Sequence, residues 1–273
     1  MQGRVSGRPR SSPHRRQADH LGGDDRGKAA AEAPASPSFA AKLFKPVTNL
    51  LSDQHKVEMA WTIVPAIILL YIAFAQVNTW ANVKYQSRMP TLQEPKTPLQ
   101  AAVSARQFEW RVRYPSSARL EQWMKNKDAP EVANDYFSFA KVEQKDDVHV
   151  VNQLHVFKEN PVIVHLSTRD VIHSFNLPHL RVKQDALPGK MIPVWFTPTK
   201  SNVELDKQTG MYIDGIDPAT GKHDQHYIWD LPCAELCGWG HYRMVGRLYV
   251  HNDEQEFLDW LRKEEAQNHS HQR

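Results

Sequence analysis

Hydrophobic residues are concentrated in one long run and in several short alternating segments. The run extends over Met59–Val77 without a charged side chain, and about twenty apolar residues are what a helix needs to cross a bilayer. Trp61 and Trp80 lie near its two ends, where membrane helices carry interfacial aromatic residues. Pro65 lies inside the run, which a membrane helix tolerates. The pattern predicts one transmembrane helix, with its flanks at 46–86.

After a proline-rich linker, short β-type segments alternate with turn residues. Their β-branched and aromatic content predicts strands. The clearest are Val148–Phe157, Val162–Ser167, Met191–Phe196 and Val245–His251. Such a series predicts an antiparallel sandwich or barrel, which we place at 87–265. It ends in a short helix over Glu254–Lys263, before a polar tail at 266–273.

Two polar, charged segments interrupt this pattern, at 115–147 and 199–230. Both are poor in strand signal, and we predict long loops at one end of the barrel.

The charged residues indicate which class of partner is excluded and how the chain is oriented in the membrane. The formal net charge is +3 with acids and bases nearly balanced, which gives no electrostatic footprint for nucleic acid. The segment 1–45 is rich in Arg, Pro and Gly and is predicted to be disordered. Basic residues are more frequent before the predicted helix than after it, so the N-terminus is expected in the cytoplasm and the barrel outside it.

The two cysteines of the chain, Cys233 and Cys237, lie in one short segment with His241 and Met244. Thiolate and imidazole ligands together select copper or zinc, and the thioether of Met244 favours copper. A mononuclear blue-copper site uses one cysteine, whereas two bridging thiolates can hold two copper ions. A pair of ions requires a second imidazole.

His173 is the candidate for that imidazole, since it ends a β-rich stretch, and His165 and His179 are its rivals. Surface positions are expected for His149, His155, His223 and His226. Zinc at the same residues remains an alternative. A small-loop disulfide is another, although it explains neither His241 nor Met244.

The segment 233–244 has the pattern C-x-E-x-C-x-x-x-H-x-x-M, and D-V-x-H-S-F and D-x-L-P-G precede it at 170–175 and 185–189. Together they resemble cytochrome c oxidase subunit II. The helix sequence Trp-Thr-Ile-Val-Pro-Ala-Ile-Ile from residue 61 is similar to the second transmembrane helix of that family. The resemblance covers Glu58 to about His251, apart from the two polar segments.

The resemblance implies an all-β, cupredoxin-like Greek-key barrel preceded by a transmembrane helix, with a dinuclear copper A centre. The implied copper ligands are Cys233 and Cys237 as bridges, His173, His241, Met244 and the backbone carbonyl of Glu235. The Glu235 side chain is assigned to a Mg²⁺ or Mn²⁺ ion at the boundary with subunit I.

The implied function is electron transfer in aerobic respiration. As a component of cytochrome c oxidase, the chain would accept electrons from cytochrome c and pass them to subunit I, which reduces oxygen. Subunits I and III and membrane lipid are the implied partners. The implied location is the bacterial inner membrane with the barrel in the periplasm, and the mitochondrial inner membrane is the alternative.

Two departures from the family pattern concern the electron route and the membrane anchor. The chain reads Gln-Phe-Glu-Trp at 107–110, so Phe108 replaces the tryptophan that typically receives the electron, and Trp110 is the other candidate. The first of the family's two membrane helices is missing, which we interpret as a truncated gene model.

Two other functional classes compete with this interpretation. A copper A module of the nitrous oxide reductase type would be attached to a propeller domain rather than to a membrane helix. A copper-free quinol oxidase subunit would lack the ligand residues.

Overall fold

A long apolar helix begins the described part of the chain. The structure, a computed structural model, describes residues 54–206 and 208–271. Helix α1, Gln54–Lys84, has 31 residues. Its most apolar window of 18 residues has a mean hydropathy of 2.0, and none of it is buried. The prediction over Met59–Val77 is confirmed as a helix long and apolar enough to cross hydrocarbon of about 30 Å. The predicted disordered segment 1–45 lies outside the described residues.

Twelve strands and three further α-helices follow within the described residues. The strands are β1 Leu99–Arg106, β2 Glu109–Tyr114, β3 Val148–Val151, β4 Gln153–Phe157, β5 Val162–Thr168, β6 His173–Leu177, β7 Val182–Ala186, β8 Ile192–Phe196, β9 Val203–Leu205, β10 Tyr212–Asp214, β11 Trp229–Pro232 and β12 Val245–His251. The helices are α2 Ser117–Lys125, α3 Pro130–Ser138 and α4 Glu254–His271. All four segments predicted as strands are confirmed. The first is divided at Asn152, whose φ of 57° interrupts the strand.

The strands form two main sheets and two hairpin pairs. The larger sheet has the order β3-β2-β1-β5-β8, in which only β1 and β5 are parallel. The second has the order β11-β12-β4, with β12 antiparallel to β11 and parallel to β4. β6 pairs with β7 and β9 with β10. This β-rich domain after an apolar helix confirms the predicted fold class, a cupredoxin-like barrel preceded by a membrane helix.

Alternate side chains of the strands and large aromatic rings make the core. Leu99, Ala101, Val103 and Ala105 of β1 are all fully buried, as the two-residue period of a strand requires. Tyr114 packs against Trp260 of α4, with ring centroids 5.4 Å apart. Burial of each large apolar side chain stabilises the fold by about 1.5–3 kcal/mol.

The prediction of a long loop over 115–147 is wrong, because the segment contains α2 and α3. The buried residues are Ser117, Leu120 and Trp123 on α2 and Val132 and Tyr136 on α3. Sequence reasoning missed them because each helix has only nine residues and most of its other positions are polar.

Several charged residues of this insertion form ion pairs that are partly or fully buried. Arg119 donates to Asp135 at 2.7 Å and also to Asp147, whose side chain is fully buried. Arg113 of β2 donates to the same Asp147. The indole N–H of Trp123 donates to Asp135 at 2.7 Å. The network attaches both helices to the large sheet, so part of the charge of the segment belongs to the packed domain.

The prediction of a long loop over 199–230 is also wrong, because the segment contains the β9–β10 hairpin and is tied to β12. The Asn202 side chain accepts from the Val250 N–H at 2.7 Å and donates to the carbonyls of Leu248 and Tyr227, each at 2.9 Å. The side-chain amide of Asn202 therefore supplies hydrogen bonds to β12 in a segment whose sequence does not predict a strand. At the other end of the domain, the predicted helix over Glu254–Lys263 continues to His271.

Two histidines, His155 of β4 and His251 of β12, are buried side by side. Nδ1 of His155 lies 3.0 Å from Nε2 of His251, and the His155 ring stacks on Trp260 and Tyr249. The surface position predicted for His155 is wrong, since the parallel pairing of β4 with β12 places it beneath α4. Burial and the neighbouring His251 hold the pKa of His155 well below 6.5. Burial lowers the pKa of His251 to about 3.

Acid is expected to destabilise the domain in the range where unfolded histidine gains a proton. The folded pKa of each buried histidine lies below the unfolded value, so its contribution is fully present above about pH 6.5 and declines as the pH falls toward the folded pKa. We expect the free energy of unfolding to fall by up to about 1.4 kcal/mol per pH unit per histidine between roughly pH 6.5 and 5. Guanidinium titrations over this pH range, followed by tryptophan fluorescence, measure the free energy of unfolding.

A histidine variant separates this effect from the titration of other groups. His251→Gln should show a shallower slope, whereas His149→Gln, at an exposed position, should keep the slope of the unmodified chain. Equal slopes for His251→Gln and the unmodified chain would contradict the assignment.

Candidate metal centre

The segment 233–244 is a loop closed at its base by the antiparallel pair β11–β12. The last residue of β11, Pro232, is paired with the first of β12, Val245. The Cys233 N–H then donates to the Met244 carbonyl at 3.0 Å. The sheet therefore fixes both ends of the loop before any side chain contributes.

β6 brings His173 to this loop through main-chain hydrogen bonds. Phe175 forms an isolated antiparallel bridge with Cys233, and the Ala234 N–H donates to the Ser174 carbonyl at 3.0 Å. The fully buried ring of His173 places its Nδ1 3.8 Å from the Cys233 sulfur. Hydrogen bonds between main chains thus bring His173 close to Cys233, which lies sixty residues later in the sequence.

The opposite nitrogen of His173 is held by a carboxylate. Nε2 lies 2.8 Å from Oδ1 of Asp170, which also accepts the Gln107 N–H through Oδ2 at 2.7 Å. A proton on Nε2 leaves the lone pair of Nδ1 directed to the sulfur side, the arrangement that metal-binding histidines use.

Six candidate ligand atoms lie close together, five in the loop at 233–244 and the sixth, Nδ1 of His173, on β6. The two sulfurs, of Cys233 and Cys237, are 3.8 Å apart. The Glu235 carbonyl lies 3.2 Å from the Cys233 sulfur, and Nδ1 of His241 and the Met244 sulfur lie 3.6 and 3.8 Å from that of Cys237. In the part of the chain that the structure describes, one group of three His, Cys, Asp or Glu residues has its ligand atoms within 4.8 Å of one another: His173, Cys233 and Cys237.

The two cysteines are free thiols and not a disulfide. Both are buried, and their sulfurs are far beyond the bonded distance of about 2.05 Å. Burial raises the pKa of Cys233, but hydrogen bonds with His173, with the backbone of Ser174 and Glu235 and with His241 together outweigh it, and the net shift is downward. Burial and the charge of Cys233 raise the pKa of Cys237. A positive charge between the two sulfurs would favour a thiolate at both positions, and a metal ion would supply that charge.

The β1–β2 turn covers one side of the loop. Gln107 donates from Nε2 to the Cys237 carbonyl at 2.6 Å. A Cβ at Gly240 would overlap the Phe108 ring, 2.7 Å from Cε2 and closer still to Cδ2. A Cβ at Gly238 would meet Gln107 Nε2 at 2.7 Å, and its φ of 130° is also unfavourable for other residues. Both glycines are needed because the turn occupies the space of their side chains.

The two aromatic residues considered for electron transfer lie at different depths. Phe108 is half-buried at the turn. Trp110 is fully buried behind His173, with ring centroids 6.3 Å apart, and has no surface that another protein could touch.

The rival histidines lie in other surroundings. Nε2 of His165 is 2.6 Å from the Gln100 side chain, and His179 is exposed and stacks on Trp229. The side chain of Glu235 is exposed. Sequence reasoning did not single out Gln107 or Asp170 for their contacts to the site, although both belong to the motifs that it quoted.

Two family models match the chain. Residues 101–212 match the model for the cytochrome c oxidase subunit II periplasmic domain, and residues 38–78 match that for the transmembrane domain of the same subunit. Together the matches cover more than half of the 273 residues. They include His173 and end before the loop at 233–244.

Individual proteins are similar over most of this chain. A probable cytochrome c oxidase subunit 2 of Rickettsia felis is 28% identical over 217 residues, which is 79% of this chain and 55% of that protein. The subunit 2 of Cereibacter sphaeroides is 25% identical over 213 residues, 75% of this chain and 59% of that protein. The chain therefore spans a little over half the length of these relatives. A solved periplasmic domain of subunit II of cytochrome oxidase from Bradyrhizobium japonicum is 20% identical, with a TM-score of 0.41 over 63% of this chain and 97% of that one.

A methyl group at residue 240 should disturb the loop. We expect Gly240→Ala to lower the free energy of unfolding by about 1–3 kcal/mol, the cost of overpacking, and to weaken retention of bound metal. Guanidinium titration and metal analysis after dialysis measure the two effects. Because the clash is with Phe108, the double variant Phe108→Leu/Gly240→Ala should recover part of the loss. Additive effects of the two changes would contradict the packing argument.

Proposed function

Since the chain belongs to the cytochrome c oxidase subunit II family, we propose that it accepts electrons from cytochrome c at a dinuclear copper A centre and passes them to the haem and copper oxygen-reducing site of subunit I. The observation that carries this proposal is the arrangement of two free, buried thiols 3.8 Å apart, with an imidazole nitrogen within 4 Å of each sulfur.

The number and type of ligand atoms favour two copper ions over one zinc ion. A structural zinc ion takes four ligands, whereas six candidate ligand atoms are present here. The thioether of Met244 is a soft ligand that suits copper better than zinc. The residues proposed to hold the ions are Cys233, Cys237, His173, His241, Met244 and the carbonyl of Glu235.

The copper pair would supply a one-electron carrier, and the protein residues keep its surroundings fixed and dry. Cys233, Cys237 and Met244 are buried, so bulk water has little access to the sulfurs. Asp170 holds the His173 ring, and the Gln107 amide holds the Cys237 carbonyl. Fixed ligands favour electron transfer because little rearrangement accompanies a change of charge.

The membrane helix and the remaining partners complete the proposal. Helix α1 would anchor the chain in the bacterial inner membrane, or in the mitochondrial inner membrane as the alternative. The N-terminus would be cytoplasmic and the barrel periplasmic, in contact with subunits I and III and with lipid. The exposed carboxylate of Glu235 is available for a Mg²⁺ or Mn²⁺ ion shared with subunit I.

Metal content and spin state test the proposal directly. We expect the full chain in detergent, loaded with copper while its cysteines are kept reduced, to bind two copper ions per chain. Electron paramagnetic resonance should show one unpaired spin shared between them. Cys233→Ser, Cys237→Ser and His173→Ala should each abolish the shared-spin signal, because each removes a proposed ligand. His179→Ala is the matched control, as that ring is exposed and stacks on Trp229, and it should leave the signal unchanged.

Other metal contents would decide against the function. A single localised copper ion, one zinc ion or an oxidised cysteine pair would remove the role in electron transfer. Loss of the signal in His179→Ala together with its persistence in His173→Ala would place the second imidazole elsewhere.

A further inference from the structure

An exposed tryptophan lies in the middle of the metal loop. Trp239 is 74% exposed, although only one residue separates it from Cys237 and one from His241. A large exposed ring in this position is a candidate contact for another protein, because tryptophan is enriched among the residues that carry the binding energy at interfaces. Its two neighbours are Gly238 and Gly240, which place no side chain between the indole and the ligand residues.

The indole is exposed but held in position. It makes an edge-to-face contact with Phe108, with ring centroids 5.1 Å apart. The Arg243 guanidinium lies 4.5 Å from the centre of its ring and 5.9 Å from that of Phe108. The edge-to-face contact and the cation–π contact both favour one orientation of the ring.

The indole also has two short connections to the proposed copper ligands. One is the main chain through Gly238 to Cys237. The other crosses the ring contact to Phe108 and continues through the adjacent Gln107, whose amide donates to the Cys237 carbonyl at 2.6 Å. Both connections end at the residue whose sulfur adjoins that of Cys233.

We propose that Trp239 is the contact through which the electron donor delivers its electron to this chain. The inference rests on the proposed function and names the point of electron uptake. Phe108 cannot offer the same contact, since it is half-buried beneath Trp239 and Arg243, and Trp110 is buried completely. One electron would leave the haem iron of the donor, which is oxidised by one unit, and would reduce by one unit the copper pair that the loop is proposed to hold. The indole is neither oxidised nor reduced, because it only shortens the path through space.

Two other exposed apolar residues of the loop serve as controls. Leu236 and Tyr242 are each 79% exposed. In the described part of the chain no aromatic or cation–π contact involves the Tyr242 ring, in contrast to the two that hold Trp239. Tyr242 is therefore an aromatic residue of equal exposure on the same loop without the connection to Phe108.

Stopped-flow kinetics with reduced cytochrome c as the probe test the proposal. The full chain, loaded with copper in detergent, is mixed with excess probe, and oxidation of the haem is followed by absorbance. We expect Trp239→Leu to lower the second-order rate constant by roughly tenfold or more, as for a central interface residue. Trp239→Phe should lose less, because it keeps a ring over Phe108, and Tyr242→Leu should stay within about twofold of the unmodified chain.

A second readout does not depend on copper. The fluorescence of the unmodified chain minus that of Trp239→Phe reports the emission of Trp239, one of eight tryptophans. With copper-free protein and reduced thiols, added cytochrome c should quench this difference signal if its haem edge docks at the indole. Copper content and spin resonance of Trp239→Leu should remain those of the unmodified chain, which separates loss of contact from loss of the site.

The outcomes distinguish this inference from the proposed function. An unchanged rate constant in Trp239→Leu with an intact copper signal, or an unquenched difference emission, would overturn the role of Trp239 and leave the copper function standing. A copper-loaded unmodified chain that takes up no electron would overturn the proposed function, and this inference with it.

Discussion

The candidate site depends on the main-chain bridge between β6 and the beginning of the loop at 233–244. Phe175 pairs with Cys233, and Ala234 donates to Ser174, so the backbone at 173–175 is held against residues 233–234. Together with the closure of the loop by Pro232 and Val245, these hydrogen bonds set where His173, Cys233 and Met244 can lie. All of these hydrogen bonds join main-chain atoms. The positions of the candidate ligands therefore follow from the fold and not from contacts among the ligands.

The sequence predicted the structure correctly where the signal lies within a short segment, either as a hydrophobic period or as closely spaced ligand residues. The apolar run at 59–77 and the alternating strands predicted the helix and most of the barrel. The spacing of Cys233, Cys237, His241 and Met244 placed four soft or imidazole groups on one loop. The distant His173 could be proposed but not distinguished physically from His165 and His179, since that choice depends on the pairing of β6 with residue 233.

The errors have a common physical origin, which is burial of polar groups that satisfy one another. Arg119 with Asp135 and Asp147, and the Asn202 side chain with the backbone of β12, make charged or polar segments part of the packed domain. His155 is buried for the same reason, since it finds a partner in His251. A hydropathy pattern assigns such residues to the surface, because it records polarity and not the availability of a partner.

The main-chain hydrogen bonds that hold the loop leave its outer side chains free to vary. The carbonyls and N–H groups that hold the loop are present whatever side chains the outer positions carry, so Ala234, Leu236, Trp239 and Tyr242 can be exchanged without removing any of those hydrogen bonds. The inner positions, in contrast, carry the candidate sulfur and imidazole ligands and the two glycines whose missing side chains leave room for the β1–β2 turn. Substitutions at the outer positions can therefore change the exposed face of the loop while the arrangement of the candidate ligands beneath it stays constant.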